Sequence, residues 1–514
     1  MLVAGTTPGL AQSSRSGNAK GKPKYIFFFL GDGMSSSQIQ ATEAYLTTVN
    51  GGSAMEATDL IQSHNRLNMS KMKYAGMQTT YDAHTLITDS ASSATAFASG
   101  VKTLSGVIGM DDKKINKYKS VAELAKEAGM KVGVISSVSL DHATPAAYYA
   151  SVSSRSNMND IATQLANSGY NFFGGGGLAC PTAACRTGDT ANNVHALLAD
   201  NGYTVLNSRE AILGLKETPQ DKVVCINPWL QDASAMPYAI DRPATNLSLA
   251  EMTEVGISSL YAGTTGKGAR GNSPGFFLMV EGGKIDWACH ANDAMATIGD
   301  MLDFDAAVGK ALAFYQKHPQ DTLIVVTGDH ETGGMTIGHA TTGYAAYYSR
   351  LVGQKNSFQY FNDNQWKAHK AAHGTNYSAS APNNLESNAA MVALIKTTFG
   401  VEWAKLDDYQ KKRLEDGYDK SMTKTSTSSG TNGNSAAENT YLFGSYEPIT
   451  VALTHVVNEQ AGIGWTSYSH TGVPVPVFAE GAQAKKFSGF YDNTDIAKKL
   501  ANIIGYWGSL PAAK

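Results

Sequence analysis

Charge is scarce in this chain: 17 % of its 514 residues are Asp, Glu, Lys or Arg, below the quarter usual in globular proteins. It is also balanced, with 41 basic residues against 44 acidic ones and a formal net charge of −3. Nothing in that balance suggests the basic face that holds nucleic acid or the polybasic cluster that seeks an acidic membrane, so no nucleic-acid partner is expected. Long apolar runs are missing as well. None approaches the roughly 18 residues of a membrane-spanning helix, so no membrane span is expected. There is no internal repeat, and no G-x-S-x-G turn of the kind that carries the serine of a Ser-His-Asp hydrolase.

Cysteine is rare, at four residues. Cys180 and Cys185 flank Pro-Thr-Ala-Ala, close enough for a small-loop disulfide, while Cys225 and Cys289 have no obvious mate. Their spacing is not that of a zinc ribbon, so thiolate metal binding is not expected. Glycine is plentiful, with 51 residues. That composition suits a compact globular protein, and the length allows one large α/β domain with an insertion or two domains. Residues 1–23 read as a flexible polar leader, although the small residues around Leu10-Ala11-Gln12 equally fit the remnant of a signal peptide. Together with the paired cysteines they favour a periplasmic or secreted protein.

Four short apolar runs stand out: Tyr25–Leu30, Val132–Val138, Phe276–Val280 and Leu323–Val326. Continuous rather than alternating hydrophobicity predicts strands buried on both faces, as in a parallel sheet. Helical patterns lie between them. Val121–Ala128 ends at Gly129, and Met295, Ile298 and Leu302 recur at helical spacing. The fold class is therefore α/β, a mainly parallel central sheet sandwiched between helices. A long insertion at about 336–464, rich in Tyr, Asn, Lys and Ser, interrupts this single domain of residues 24–514 in the C-terminal third. Within it Thr425–Ser435 is low-complexity loop. Val473–Phe478 carries two prolines and is expected to be an edge strand, and Asp495–Ile504 a last amphipathic helix.

The chemistry lies where the strands end. The first run leads into Asp32, the second into Asp141-His142-Ala143-Thr144, the third into Glu281 and Asp286, and the fourth into Asp329-His330. Ligands of open α/β sheets sit beyond the carboxyl ends of the strands, so these groups should converge. A lone Asp after a strand is usually a cap or turn former; four strands ending alike are harder to dismiss. Asp286 and His290 are four residues apart and face one side of a helix, a spacing that can hold a metal ion. For that pair alone a local Asp–His hydrogen bond is the simpler reading. Mixed Asp and His donors favour zinc, whereas an all-oxygen set favours magnesium or calcium. In Thr88-Asp89-Ser90-Ala91, the small residues after Ser90 allow a tightly packed helix whose amino end can face a phosphate. By itself such a helix start is mostly a cap.

Taken together, Asp32-Gly-Met, Thr88-Asp-Ser90-Ala, His142-Ala-Thr144-Pro, Glu281-Gly-Gly-Lys-Ile-Asp286-Trp-Ala-Cys-His290 and Gly328-Asp329-His330-Glu-Thr-Gly-Gly334 resemble the motifs of alkaline phosphatases. The resemblance covers roughly residues 24–335 and 465–505, in the same order. It implies one zinc on Asp286, His290 and His470, and a second on Asp32, Asp329 and His330 with Ser90 as its reactive ligand. It further implies magnesium on Asp32, Thr144 and Glu281, and Arg155 as the clamp on phosphate. Certain bacterial members have Asp and Lys where this chain has His142 and Trp287. His142 could let the third site accept zinc, and Trp287 removes a cation that helps hold phosphate.

The implied reaction is hydrolysis of small phosphate monoesters through a phosphoserine at Ser90, in an enzyme that is usually a homodimer. Two rivals remain at this point. One is a phosphodiesterase of the same superfamily, which often uses threonine and lacks the Arg155 equivalent. The other is a non-catalytic metal- or phosphate-binding protein, against which the complete set of ligands and nucleophile argues.

Overall fold

The computed structural model describes residues 21–265, 273–375, 377–381 and 383–514. Most of the expected leader therefore lies outside the described residues. The first strands are β1 (Tyr25–Gly31), β2 (Tyr74–Gln78), β3 (Lys131–Ser136), β4 (Phe172–Gly175), β5 (Thr204–Leu206) and β6 (Val223–Ile226). Next come β7 (Phe276–Glu281), β8 (Thr322–Gly328), β9 (Glu331–Thr332) and β10 (Thr336–Ile337). After a long helical stretch follow β11 (Ile463–Gly464), β12 (His470–Thr471), β13 (Val475–Gly481) and β14 (Gly489–Tyr491).

Ten of these strands form one sheet in the order β14-β2-β13-β8-β1-β7-β3-β4-β6-β5. The four apolar runs are its adjacent centre, β8-β1-β7-β3, all parallel. Every residue of β1 is buried, because side chains alternate between two covered faces. Ile26, Phe28 and Leu30 join Phe97 and Tyr148 on one side. Phe27 and Phe29 join Phe304 and Phe314 on the other. The helix after Ser120 spans Val121–Glu127 and stops before Gly129, which takes φ 82°. The long helix is Ala294–Lys317 and the last one Thr494–Ile504.

One expectation fails. β13 is not an edge strand but lies between β8 and β2, antiparallel to both. Its pairing with β2 runs over Val475–Ala479, while that with β8 begins only at Val477. Pro476 thus lies before the doubly paired stretch, where a missing N–H costs little.

The stretch 336–464 leaves and rejoins the sheet through a two-stranded stem, Thr336 opposite Gly464 and Ile337 opposite Ile463. Between them it is mostly helical and has its own apolar core. Phe361, Trp366, Leu414, Tyr418, Ile449 and Leu453 pack there, against Met295 and Ile298 of the long helix. The segment Thr425–Ser435 has no regular structure over most of its length, and Thr423 and Lys420 hydrogen-bond Thr431 and Gly430 within it. Cys180 and Cys185 are joined in a disulfide, and Cys225 and Cys289 are free and buried. Among the described residues no helix is long and apolar enough to cross a membrane.

Phe28 lies between the helix that starts at Ser90 and the chain beyond β3, with ring centroids 6.1 Å from both Phe97 and Tyr148. Phe28→Ala is expected to destabilise the fold by about 3–5 kcal/mol, as large-to-small core substitutions do. The measurement is the urea midpoint, which should fall at an unchanged slope; an unshifted midpoint would contradict this packing.

Candidate active site

Because β1, β3, β7 and β8 run parallel and side by side, their carboxyl ends open on one side of the sheet. Straight after β7 comes the helix Lys284–His290, and it projects Asp286 and His290 from one face. His290 Nε2 lies 3.3 Å from Asp286 Oδ2. His470, brought in by β12, places its Nε2 3.5 Å from Asp286 Oδ1 and 3.1 Å from His290 Nε2. The other ring nitrogens are committed: His290 Nδ1 meets Tyr468 O at 2.7 Å, and His470 Nδ1 meets Thr88 O at 2.7 Å. A carbonyl only accepts, so each Nδ1 carries the hydrogen. In the neutral rings, both Nε2 lone pairs then point at one another and at the carboxylate.

The electrostatics make the same demand. Burial pushes the Asp286 carboxyl up, but His290 and His470 outweigh it and hold it well below its ordinary range. Burial would lower the His290 imidazole, yet Asp286 overrides it and raises it to about 9. Against burial, Asp286 raises His470 too. With both rings protonated, two hydrogens would be forced between nitrogens 3.1 Å apart, and a single proton leaves one lone pair still facing the carboxylate. One cation shared by the three donors satisfies them all.

A second cluster forms from Asp32 after β1 and from Asp329 and His330 after β8, all completely buried. His330 Nε2 lies 3.3 Å from Asp32 Oδ1 and 3.2 Å from Asp329 Oδ2. Thr332 fixes the tautomer. Its hydroxyl donates to Asp286 Oδ1 at 2.5 Å and so accepts from His330 Nδ1 at 3.2 Å. The Nε2 lone pair therefore faces two carboxylate oxygens. Neither Asp32 Oδ1 nor His330 Nε2 has a hydrogen-bond partner among the described residues. Burial, then Asp329, raises the Asp32 carboxyl, and burial with Asp286 raises that of Asp329 to about 7. Burial and His470 hold His330 neutral. Each cluster is a set of acceptors aimed inward, fully buried in the second and partly so in the first, which fits a metal ion and little else. The two groups are thus able to chelate metal.

Beside Asp32 lies a third, oxygen-rich group. Thr144 Oγ1 is 3.4 Å from Asp32 Oδ2, and the Ser136 hydroxyl donates to Glu281 Oε2. Glu281 Oε1 is buried without a hydrogen-bond partner among the described residues. Burial raises the Glu281 carboxyl to about 8.

Ser90 opens the helix Ser90–Ser99, all of it buried. Asp89 caps it by accepting from Ser92 N at 2.9 Å. Two contacts tie this helix start to the clusters: Thr88 O on His470, and Ser93 Oγ donating to Asp329 Oδ2 at 3.0 Å. Arg155 spans from Asp89 Oδ2, 3.0 Å from Nη1, to His142 Nε2, 3.2 Å from Nη2. Burial and then Arg155 push His142 down to about 3, so His142 is neutral and accepts from the guanidinium. Trp287 packs edge-on against His142, with centroids 5.7 Å apart.

All twelve residues singled out in the sequence thus take places around these strand ends. What the motifs did not assign is the set that aims them: Thr332, Ser93, Ser136, Asp89 and the carbonyls of Thr88 and Tyr468. Asp89 and Thr332 stand inside the quoted motifs, a signal that they serve the site. A carbonyl donated by a distant loop leaves no trace in residue type.

Comparison with known proteins agrees. The alkaline phosphatase family profile matches residues 23–506. Alkaline phosphatase 4 of Bacillus subtilis (strain 168) is 30 % identical over 517 residues, covering 98 % of this chain and 95 % of that protein. Among solved structures, a cold-active alkaline phosphatase from the psychrophile Shewanella sp. superposes with a TM-score of 0.68 at 26 % identity, covering 93 % of this chain and 99 % of that one. The alkaline phosphatase of Thermus thermophilus shares the fold, with a TM-score of 0.72 at 24 % identity over 98 % of this chain and 97 % of that one. Similarity over nearly the full length of both chains settles the family: this chain belongs to the alkaline phosphatases and is an enzyme that hydrolyses phosphate monoesters at a metal-assisted site.

Proposed function

We propose that Ser90 is the nucleophile and is transiently phosphorylated, with two zinc ions and one magnesium as cofactors. The observation that carries this reading is the pair of inward-aimed Asp/His clusters tied to the start of the Ser90 helix. Asp286, His290 and His470 would hold one zinc, and Asp32, Asp329 and His330 the other. Asp32, Thr144 and Glu281 would hold the third ion, magnesium, and zinc could replace it only if His142, two residues before Thr144, let go of Arg155 and turned a nitrogen towards the ion. When bound, the metals supply Lewis acidity, lowering the pKa of the serine hydroxyl and stabilising the leaving oxygen.

The Ser90 oxygen attacks phosphorus as the bond to the ester oxygen breaks, and the proton that Ser90 gives up ends on the departing alcohol. Water then attacks the phosphoserine from the vacated side, its oxygen leaving in the phosphate and one of its protons restoring the Ser90 hydroxyl. Two in-line displacements leave the configuration at phosphorus retained. The fork of Arg155, held between Asp89 and His142, matches two phosphate oxygens. The unpaired N–H groups of the helix start face the same charge. Small phosphate monoesters are the substrates, and an exposed ester asks little of the leaving group. We further propose a periplasmic or secreted protein, since the Cys180–Cys185 disulfide suits an oxidising compartment, and a homodimer on the family resemblance alone.

Two outcomes are expected. Turnover of a chromogenic phosphate monoester at alkaline pH should vanish in chelator-stripped protein and return with zinc and magnesium. In Ser90→Ala it should fall by at least about 10³-fold, as when a nucleophile is removed. Chelator-insensitive turnover would refute the metal requirement, and a fully active Ser90→Ala would place the nucleophile elsewhere. The double variant His142→Asp, Trp287→Lys should bind product phosphate more tightly, read as a lower inhibition constant. An unchanged constant would refute the roles given to these two residues.

A further inference from the structure

Besides its stem and its packing on the long helix, the stretch 336–464 meets the core at Asn292, two residues after His290. There the contact is polar and at least partly buried. Asn458, on the helix Pro448–Ala461, donates Nδ2 to Asn292 O at 2.7 Å. His455, one turn earlier, meets Asn292 Oδ1 through Nε2 at 2.9 Å. Behind it Arg413, on the helix Asp408–Thr423, binds His455 Nδ1 with one arm and Glu459 with the other.

The hydrogens in this chain of contacts are fixed. A guanidinium only donates, so His455 Nδ1 accepts and its Nε2–H donates to Asn292. Burial and Arg413 keep His455 neutral, which sustains that tautomer. The amide of Asn292 then spends its two hydrogens on Cys289 O and Ser467 O, each at 2.9 Å. Asn292 also sits at φ 51°, a left-handed value in which a non-glycine residue is held by its surroundings.

Those two carbonyls frame the cluster. Cys289 precedes His290, and Ser467 precedes Tyr468, whose carbonyl accepts from His290 Nδ1 at 2.7 Å. His470 follows two residues later. Tyr468 is itself gripped by the same stretch: its hydroxyl donates to Leu442 O at 2.6 Å, and its ring lies parallel to His455 with centroids 6.0 Å apart. Asn292 thus laces the helix that carries His290 to the loop that leads into β12 and His470, and the 336–464 stretch holds Asn292 in place. The Asp32–Asp329–His330 cluster is instead braced by Gly33, Ser93 and Thr332.

We propose that Arg413, His455 and Asn292 form a positioning relay through which the 336–464 stretch fixes His290 and His470 for metal binding. The proposal rests on reading Asp286, His290 and His470 as metal ligands. None of the three relay residues is a catalytic residue; they act through the ligands they aim. Partners that orient metal ligands typically carry about 10–100-fold of metal affinity.

The test is a zinc titration of metal-stripped full-length protein against a competing chelator, with bound ions per chain counted by mass spectrometry. His290→Ala identifies the zinc step that belongs to the Asp286–His290–His470 cluster. Asn292→Gly removes the amide while tolerating the positive φ, and His455→Phe keeps the ring beside Tyr468 while removing both nitrogens. Both variants should weaken the step abolished by His290→Ala by about 10–100-fold and shift the other tight step by less than about threefold. Wild-type affinity at that step overturns the relay, as does equal weakening of both steps, which marks a general loosening. If His290→Ala leaves every zinc step intact, the ligand reading itself fails and the relay falls with it.

Discussion

Lone pairs and carboxylate charges buried face to face are the constraint on which this structure turns. In water each acceptor would be hydrated; here two imidazole nitrogens oppose one another across 3.1 Å, and a third faces two carboxylates inside the core. Leaving such groups unpaired costs several kcal/mol each, so the surrounding fold must hold them against their own repulsion. It does so by occupying every other hydrogen-bonding position. The carbonyls of Thr88 and Tyr468 fix two tautomers, Thr332 fixes the third, and Ser93 and Gly33 hold Asp329. Only the inward positions remain, and cations satisfy them.

That requirement explains the architecture around it. Parallel strands deliver carboxylates from β1, β7 and β8 to one edge, and their both-sides-buried side chains keep those ends rigid. The Ser90 helix is packed from small residues and is buried throughout, so its amino end approaches the clusters closely. Arg155 is held at both ends of its fork, so in the proposed role it would lose little entropy on clamping phosphate. The helical stretch between β10 and β11 is then more than an ornament on the surface: its buried polar contacts end on the residues flanking His290 and His470.

Much of this was legible in the sequence. Continuous apolar runs gave the central strands to within a few residues, because burial on both faces leaves no polar alternation. The i, i+4 spacing of Asp286 and His290 placed both on one helical face. Pro474 and Pro476 misled, since proline excludes hydrogen bonding on one side only over the residues actually paired, and the offset of β8 and β2 spares them. The carbonyls of Thr88 and Tyr468 could not be read at all, because every residue has one. Nor could the lacing through Asn292, which joins positions more than 160 apart in the chain and depends on a tautomer set by Arg413.

The most direct measurement of the central claim is anomalous X-ray scattering at the zinc absorption edge from crystals loaded with zinc. Two strong peaks are predicted, one among Asp286, His290 and His470 and one among Asp32, Asp329 and His330, about 3.5–4 Å apart as paired catalytic ions are. A cluster that stays dark in zinc-saturated crystals, or strong peaks bound elsewhere with these donors hydrogen-bonded among themselves, would contradict the account.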